Sequence, residues 1–171
     1  RENESDKAIK ITFPNVTEPT FKVRDFDPGV SPEGMANVFV LYGASTKRSS
    51  NKETGGFGIG AKSAWAYTDS FVIKTFIDGY QRTYVAHTGE NHNGKLDLID
   101  EGHTDQENGT EIEIAVSPQD IPKFETSVIR ATWFWPKDSY KVIGAYTTRR
   151  QGLKEYDSEH GRWFSKHLQI V

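Results

Sequence analysis

Gly55-Gly56-Phe57-Gly58-Ile59-Gly60-Ala61-Lys62-Ser63-Ala64 is the stretch on which the reading of this chain turns. Four glycines lead into a segment rich in Ala and Lys, the composition of a helix start. Backbone N–H groups left free at such a start, together with the helix dipole, can hold phosphate. Glycine suits the approach because any Cβ would hold a ligand away from the main chain. The string lacks the lysine-terminated pattern of a P-loop. A dinucleotide-binding fingerprint would need a strand just before it, where Ser45–Thr54 reads as loop. Neither standard nucleotide motif fits, so the neighbouring sequence has to decide.

Upstream, residues 43–60 (GASTKRSSNKETGGFGIG) show no apolar periodicity. They exceed the usual connection of about 4–6 residues, as functional or mobile loops do. Before them, Ser31-Pro32-Glu33 supplies an N-cap, a Pro at the first helical position and an acid in the first turn, so a helix is predicted from there toward Tyr42. Earlier still, Lys7–Phe13 and Thr20–Phe26 alternate apolar and polar residues and predict two half-buried strands. The second ends in Arg24-Asp25-Phe26-Asp27-Pro28-Gly29, an acid followed by a Pro-Gly turn.

Downstream, Ala61–Tyr67 is predicted helical, and Ser70–Phe76, Tyr80–Thr88 and Thr110–Val116 read as strands of an antiparallel meander. Pro118–Trp135 has apolar residues at three- and four-residue spacings and predicts an amphipathic helix on the sheet, ended by Pro136. From Lys137 onward only short strands with weak periodicity are expected. The fold class is α+β: a two-layer α/β sandwich with a mixed, mostly antiparallel sheet covered on one face by helices. The expected organisation is one domain over residues 1–136, with 137–171 as a C-terminal extension packing on it or leading out of it.

Taken in order, RDF-x-PG (Arg24–Gly29), GGFG-x-G-x-KS (Gly55–Ser63), YTD-x-F (Tyr67–Phe71) and Gly109-Thr110 before a strand resemble the GHKL ATPases of the Bergerat fold. Within that superfamily they look most like the amino-terminal regions of the rIIA-like proteins of T-even bacteriophages. The resemblance runs from Lys7 to about Pro136. It implies ATP binding with Mg²⁺, a lid that closes over the nucleotide, and a conformational or dimerisation switch through a homodimer or a partner protein.

Residue by residue, the resemblance implies that Asp25 accepts a hydrogen bond from the adenine amino group. Gly29 would give the base room, and Thr110 would support the same edge. Such a carboxylate discriminates adenine from guanine by leaving a mismatched group unpaired. The implied phosphate cradle is the backbone of Gly55, Gly56, Phe57, Gly58, Ile59 and Gly60, with Lys62 and Ser63 at the helix start. Residues 43–54 are the implied ATP lid, and Lys47 its cation.

Each assignment has a plainer alternative. Asp25 could cap its own Pro-Gly turn, and Lys47 and Lys62 could be solvated surface lysines. Two departures from the superfamily pattern stand out. Asp27 occupies a position that is commonly glycine and brings a second negative charge near the base. The catalytic Glu and Mg²⁺-binding Asn should lie four residues apart on a helix before the first strand, facing the same way. Only Arg1–Asp6 stands there, and Glu2 and Asn3 are adjacent. The catalytic residues are therefore expected upstream of Arg1, and this stretch by itself should not hydrolyse ATP. A degenerate nucleotide fold serving as a protein-interaction module, or an ATPase module of a chaperone- or topoisomerase-like protein, would carry many of the same features.

Composition narrows the classes. The 171 residues carry a net charge of −3, which offers no basic field for gripping nucleic acid nonspecifically. There is no Cys, hence no disulfide framework and no thiolate-ligated zinc. No segment approaches about 18 consecutive apolar residues, so no membrane span is expected. With 35% hydrophobic and 12% aromatic residues, the chain can build a packed core. A cytoplasmic protein is expected, in the host cytoplasm if phage-encoded. The five His lack metal-ligand spacing, no Gly-x-Ser-x-Gly nucleophile motif occurs, Trp133 and Trp135 read as core, and Arg149, Arg150 and Lys154 read as solvated surface.

Overall fold

The computed structural model describes residues 7–36, 64–88, 94–136 and 138–144, together with the backbone of 155–157 and 162–164. The expected strands form with small shifts at their ends: β1 (Ile9–Thr12), β2 (Thr20–Arg24), β3 (Ser70–Ile77), β4 (Tyr80–Thr88) and β6 (Gly109–Ala115). Two further strands complete a seven-stranded sheet, β5 (Gly94–His103) and β7 (Tyr140–Ile143), in the order β5-β4-β3-β6-β2-β1-β7. Every pairing is antiparallel except that of β7 with β1, so the sheet is mixed and mostly antiparallel, as expected. The architecture is α+β. A separate hairpin pairs β8 (Glu155–Asp157) with β9 (Arg162–Phe164).

The β3–β4 hairpin closes through Asp78 and Gly79, both with positive φ, the conformation a tight turn between right-twisted strands requires. β5 lies in a stretch that reads as turns in the sequence. Its apolar residues Leu96, Leu98 and Ile99 are interleaved with Asp97, Asp100 and Glu101, and Leu98 and Ile99 are exposed. It is an edge strand with little core to bury, which removes the alternation that marks the other strands. A register shift between Thr83 and Tyr84 leaves Ile99 without a Cα partner on β4.

Pleating sends alternate residues of β3, β4 and β6 to one face. There Phe71, Ile73, Tyr84, Ala86 and Ile114 form the core, together with Met35, Ala64 and Val116. Pro32 begins a helical turn over residues 32–36 at the predicted start, with the Ser31 hydroxyl accepting from Gly34 N–H at 3.1 Å. The remainder of the helix predicted toward Tyr42 lies outside the described residues. The segment 118–135 divides into a 3₁₀ turn (Pro118–Asp120) and an α-helix (Ile121–Ala131). Ile121 and Phe124 of that helix pack on the core cluster, and Phe124 meets the rings of Phe21 and Tyr67.

The helix stops at Ala131 rather than Trp135, and the aromatic end of this segment is not core. Phe134 is 58% and Trp135 42% exposed, with Trp135 resting edge-on against Tyr140 of β7. Bulky aromatic residues in succession cannot all face inward once the helical periodicity ends. Ile73, fully buried at the centre of β3, gives the clearest stability test. Ile73→Ala is expected to cost about 2–5 kcal/mol, read as a lower urea midpoint at unchanged slope.

Candidate functional site

The ends of β2 and β6 place three of the predicted site residues together. Past Arg24 the backbone pairing continues for one residue, with Asp25 N–H donating to the Thr110 carbonyl at 2.9 Å. In return the Thr110 N–H donates to Asp25 Oδ1 at 2.7 Å. The Asp27 backbone N–H also donates to this carboxylate. Thr110 is 3% exposed and opposite Thr75, on the face that carries Ile73 and Met35. Asp25 is thus fixed at the edge of the core, one residue beyond the strand.

Glycines make this junction possible. Gly29 has φ +86°, and a Cβ there would sit 2.6 Å from the Phe76 carbonyl oxygen and 2.8 Å from Ile77 Cγ1. Gly109 has φ +147°, and its Cβ would sit 2.3 Å from the Asp25 carbonyl oxygen. Gly29 therefore folds the 27–29 turn onto the β3 end, while Gly109 lets β6 begin directly against Asp25. Pro28-Gly29 is visible in the sequence as a turn. Its close approach to a strand fifty residues later is not.

Burial is the main cause that pushes the Asp25 carboxyl above the usual carboxylate range, and the neighbouring Asp27 charge adds to it. The Thr110 and Asp27 N–H groups and Arg24 oppose the rise. A carboxylate offers about four lone-pair sites, so two N–H donors leave it able to accept more.

Sequence reading did not single out Arg24. Its Nη2 donates to the Glu107 carbonyl at 2.6 Å, so its guanidinium holds the turn that precedes Gly109 and Thr110. Alternation in TFKVR identifies Arg24 only as an outward-facing polar residue, whereas it is 4% exposed. Across the same face, Lys74 bonds Glu113 at 2.6 Å. Burial raises the Glu111 carboxyl, and the neighbouring Glu113 carboxyl reinforces this. Lys74 holds Glu113 below its ordinary value despite burial.

A raised folded-state carboxyl destabilises the fold as pH rises from the unfolded carboxylate range through the folded value. Glu111→Gln keeps a donor toward Glu113 and removes the charge. It is expected to stabilise the protein at pH 7 by on the order of 0.5 kcal/mol and to have no effect at pH values where Glu111 is protonated. Urea titrations at acidic and neutral pH read the difference.

Lys47, Gly55, Gly56, Phe57, Gly58, Ile59, Gly60, Lys62 and Ser63 lie outside the described residues. Ala64, which follows them, is buried in the core cluster beside Met35. Among the described residues no three His, Asp or Glu side chains converge as a metal site, and no helix is long and apolar enough to cross a membrane. His87 meets Asp97 at 2.7 Å and His103 packs edge-on against Tyr80, each within the sheet. In comparison with known proteins, the sequence matches no protein-family model and no curated sequence at a significant level.

Proposed function

We propose that the chain is an adenine-nucleotide-binding domain of the GHKL type, in which Asp25 reads the adenine amino group and Gly29 and Thr110 shape the pocket around it. The supporting observation is the junction of β2 and β6. A carboxylate is buried at a strand end and held in register by the Thr110 N–H, with two glycines that let the Pro-Gly turn and the start of β6 pack directly on neighbouring backbone. A two-layer Bergerat sandwich agrees with the mostly antiparallel sheet and with Met35, Ala64 and Phe124 on one of its faces.

In this reading the Gly55–Gly60 backbone, with Lys62 and Ser63, holds the phosphates of ATP with Mg²⁺. Residues 43–54, including Lys47, close over the nucleotide. The bound state drives dimerisation or engagement of a partner protein, in a phage protein of the rIIA-like kind acting in the host cytoplasm. Hydrolysis would further require a Glu and an Asn facing the triphosphate. Calorimetric titration of the chain with a non-hydrolysable ATP analogue and Mg²⁺ tests the reading, with the guanine analogue as the specificity control. Saturable binding of the adenine form alone is the expected result, and a folded chain that binds neither overturns it.

Asp27 favours one rival. Its charge beside Asp25 works against a carboxylate held ready for an electron-rich base. An interaction module on a degenerate nucleotide fold would show intact folding with no nucleotide response.

A further inference from the structure

The sheet face turned away from the core carries a concavity. Arg24 and Phe26 point to this face while Asp25, between them, belongs to the junction described above. The cavity measures about 310 Å³ and is walled by Lys10, Arg24, Lys74, Gln81, Gln106 and Glu111, over the rings of Phe26 and Phe76. Its size falls at the lower end of small-molecule sites.

Arg24 is the unusual member. Its guanidinium carbon lies 3.7 Å from the centroid of the Phe76 ring and 5.3 Å from that of Phe26, so aromatic rings cover its planar group. Nη2 is engaged by the Glu107 carbonyl, but Nη1 is buried with no acceptor among the described residues. A buried guanidinium stays charged, and leaving one of its donors unmatched is costly.

The carboxylates nearby do not supply the acceptor. Glu111 is opposite Arg24 in the β2–β6 register yet forms no ion pair with it, and Glu113 is committed to Lys74. Lys10 is opposite Arg24 in the β1–β2 register and adds a second cation without an ion pair among the described residues. Three cations, of which Lys74 is paired with Glu113, and two side-chain amides therefore face one cavity with a single carboxyl on its wall.

We propose that this cavity is a binding site for a small oxyanion, a carboxylate or phosphate group, held by the guanidinium of Arg24 and the ammonium of Lys10, with Gln106 as a further donor. The site goes beyond the nucleotide reading, because it lies on the opposite face of the sheet and uses none of the same side chains. Arg24 suits the role because its fork matches an oxyanion edge-on while its faces stay stacked.

The test is titration of the whole chain with inorganic phosphate and, separately, with succinate at constant ionic strength, followed by backbone amide NMR. The expected result is a saturable response confined to Lys10, Arg24, Gln106, Glu111 and their strand neighbours. Tighter binding of phosphate or of succinate identifies the ligand class, and either outcome supports the site. Lys10→Glu should weaken binding by about tenfold or more, the worth of one charge-assisted hydrogen bond. Arg24→Lys should do the same if it folds, and Lys10→Glu decides if it does not. No saturable response into the tens of millimolar, or a response unchanged by Lys10→Glu, overturns the proposal. Neither outcome depends on whether ATP binds, so the two readings stand or fall separately.

Discussion

Gly109→Ala is expected to destabilise the protein by about 3–5 kcal/mol, a large share of the roughly 5–15 kcal/mol by which a domain of ordinary stability stays folded. The new Cβ would lie 2.3 Å from the Asp25 carbonyl oxygen and 3.1 Å from both the Asp25 carbonyl carbon and Phe26 Cα. All three obstacles are backbone, so no side-chain rotation relieves the clash. The φ of +147° adds strain, since this region is open almost only to glycine. Relief requires parting the start of β6 from Asp25, which breaks the paired hydrogen bonds between Asp25 and Thr110. Gly102→Ala is the matched control: nothing lies within 4 Å of its Cβ, and a change below about 0.5 kcal/mol is expected there. Equal midpoints for the two variants in chemical denaturation would show that the junction is not packed as described.

Asp25→Asn is expected to lower affinity for an ATP analogue about 10–100-fold, the ~1.5–3 kcal/mol attributed to a hydrogen bond involving a charged group. The substitution preserves shape, and the Asn carbonyl can still accept from the Thr110 N–H, so the β2–β6 junction should persist. Stability separates this role from simple turn capping. Burial holds the Asp25 carboxyl above its ordinary range, so its ionised form weighs against the fold as pH rises from the unfolded carboxylate range through the folded value. Removing the charge offsets the loss of the Asp27 contact, and the melting temperature at pH 7 should stay within about 5 °C of the parent. A large fall in melting temperature with unchanged nucleotide affinity would make Asp25 a capping residue and nothing more.

Local chemistry explains which elements were legible in advance. β1, β2, β3, β4 and β6 each bury one face, and burying one face of a pleated strand writes period-two alternation into the chain. The 121–131 helix announces itself by Pro at its first turn and by apolar residues returning to one side. β5 was not legible, and β7 only as one of the weakly periodic short strands expected after Lys137, because they are the two edges of the sheet and have little apolar surface to hide. The end of the aromatic run, Phe134 and Trp135, misleads for the opposite reason: hydrophobic residues suggest core, but the helix ends before them and both are exposed.

By itself the sequence determined the α+β class, the strands that bury a face, and the acid-bearing Pro-Gly turn at the end of β2. Each of these follows from periodicity or from backbone preferences acting over a few residues. Only the tertiary structure decided that Asp25 meets Thr110, that Gly109 has room for no side chain, and that Arg24 is buried against Phe76 rather than solvated. These contacts join residues 50 to 90 positions apart. They are set by strand order and register, which emerge from the packing of the whole sheet and leave no trace in any short window of the chain.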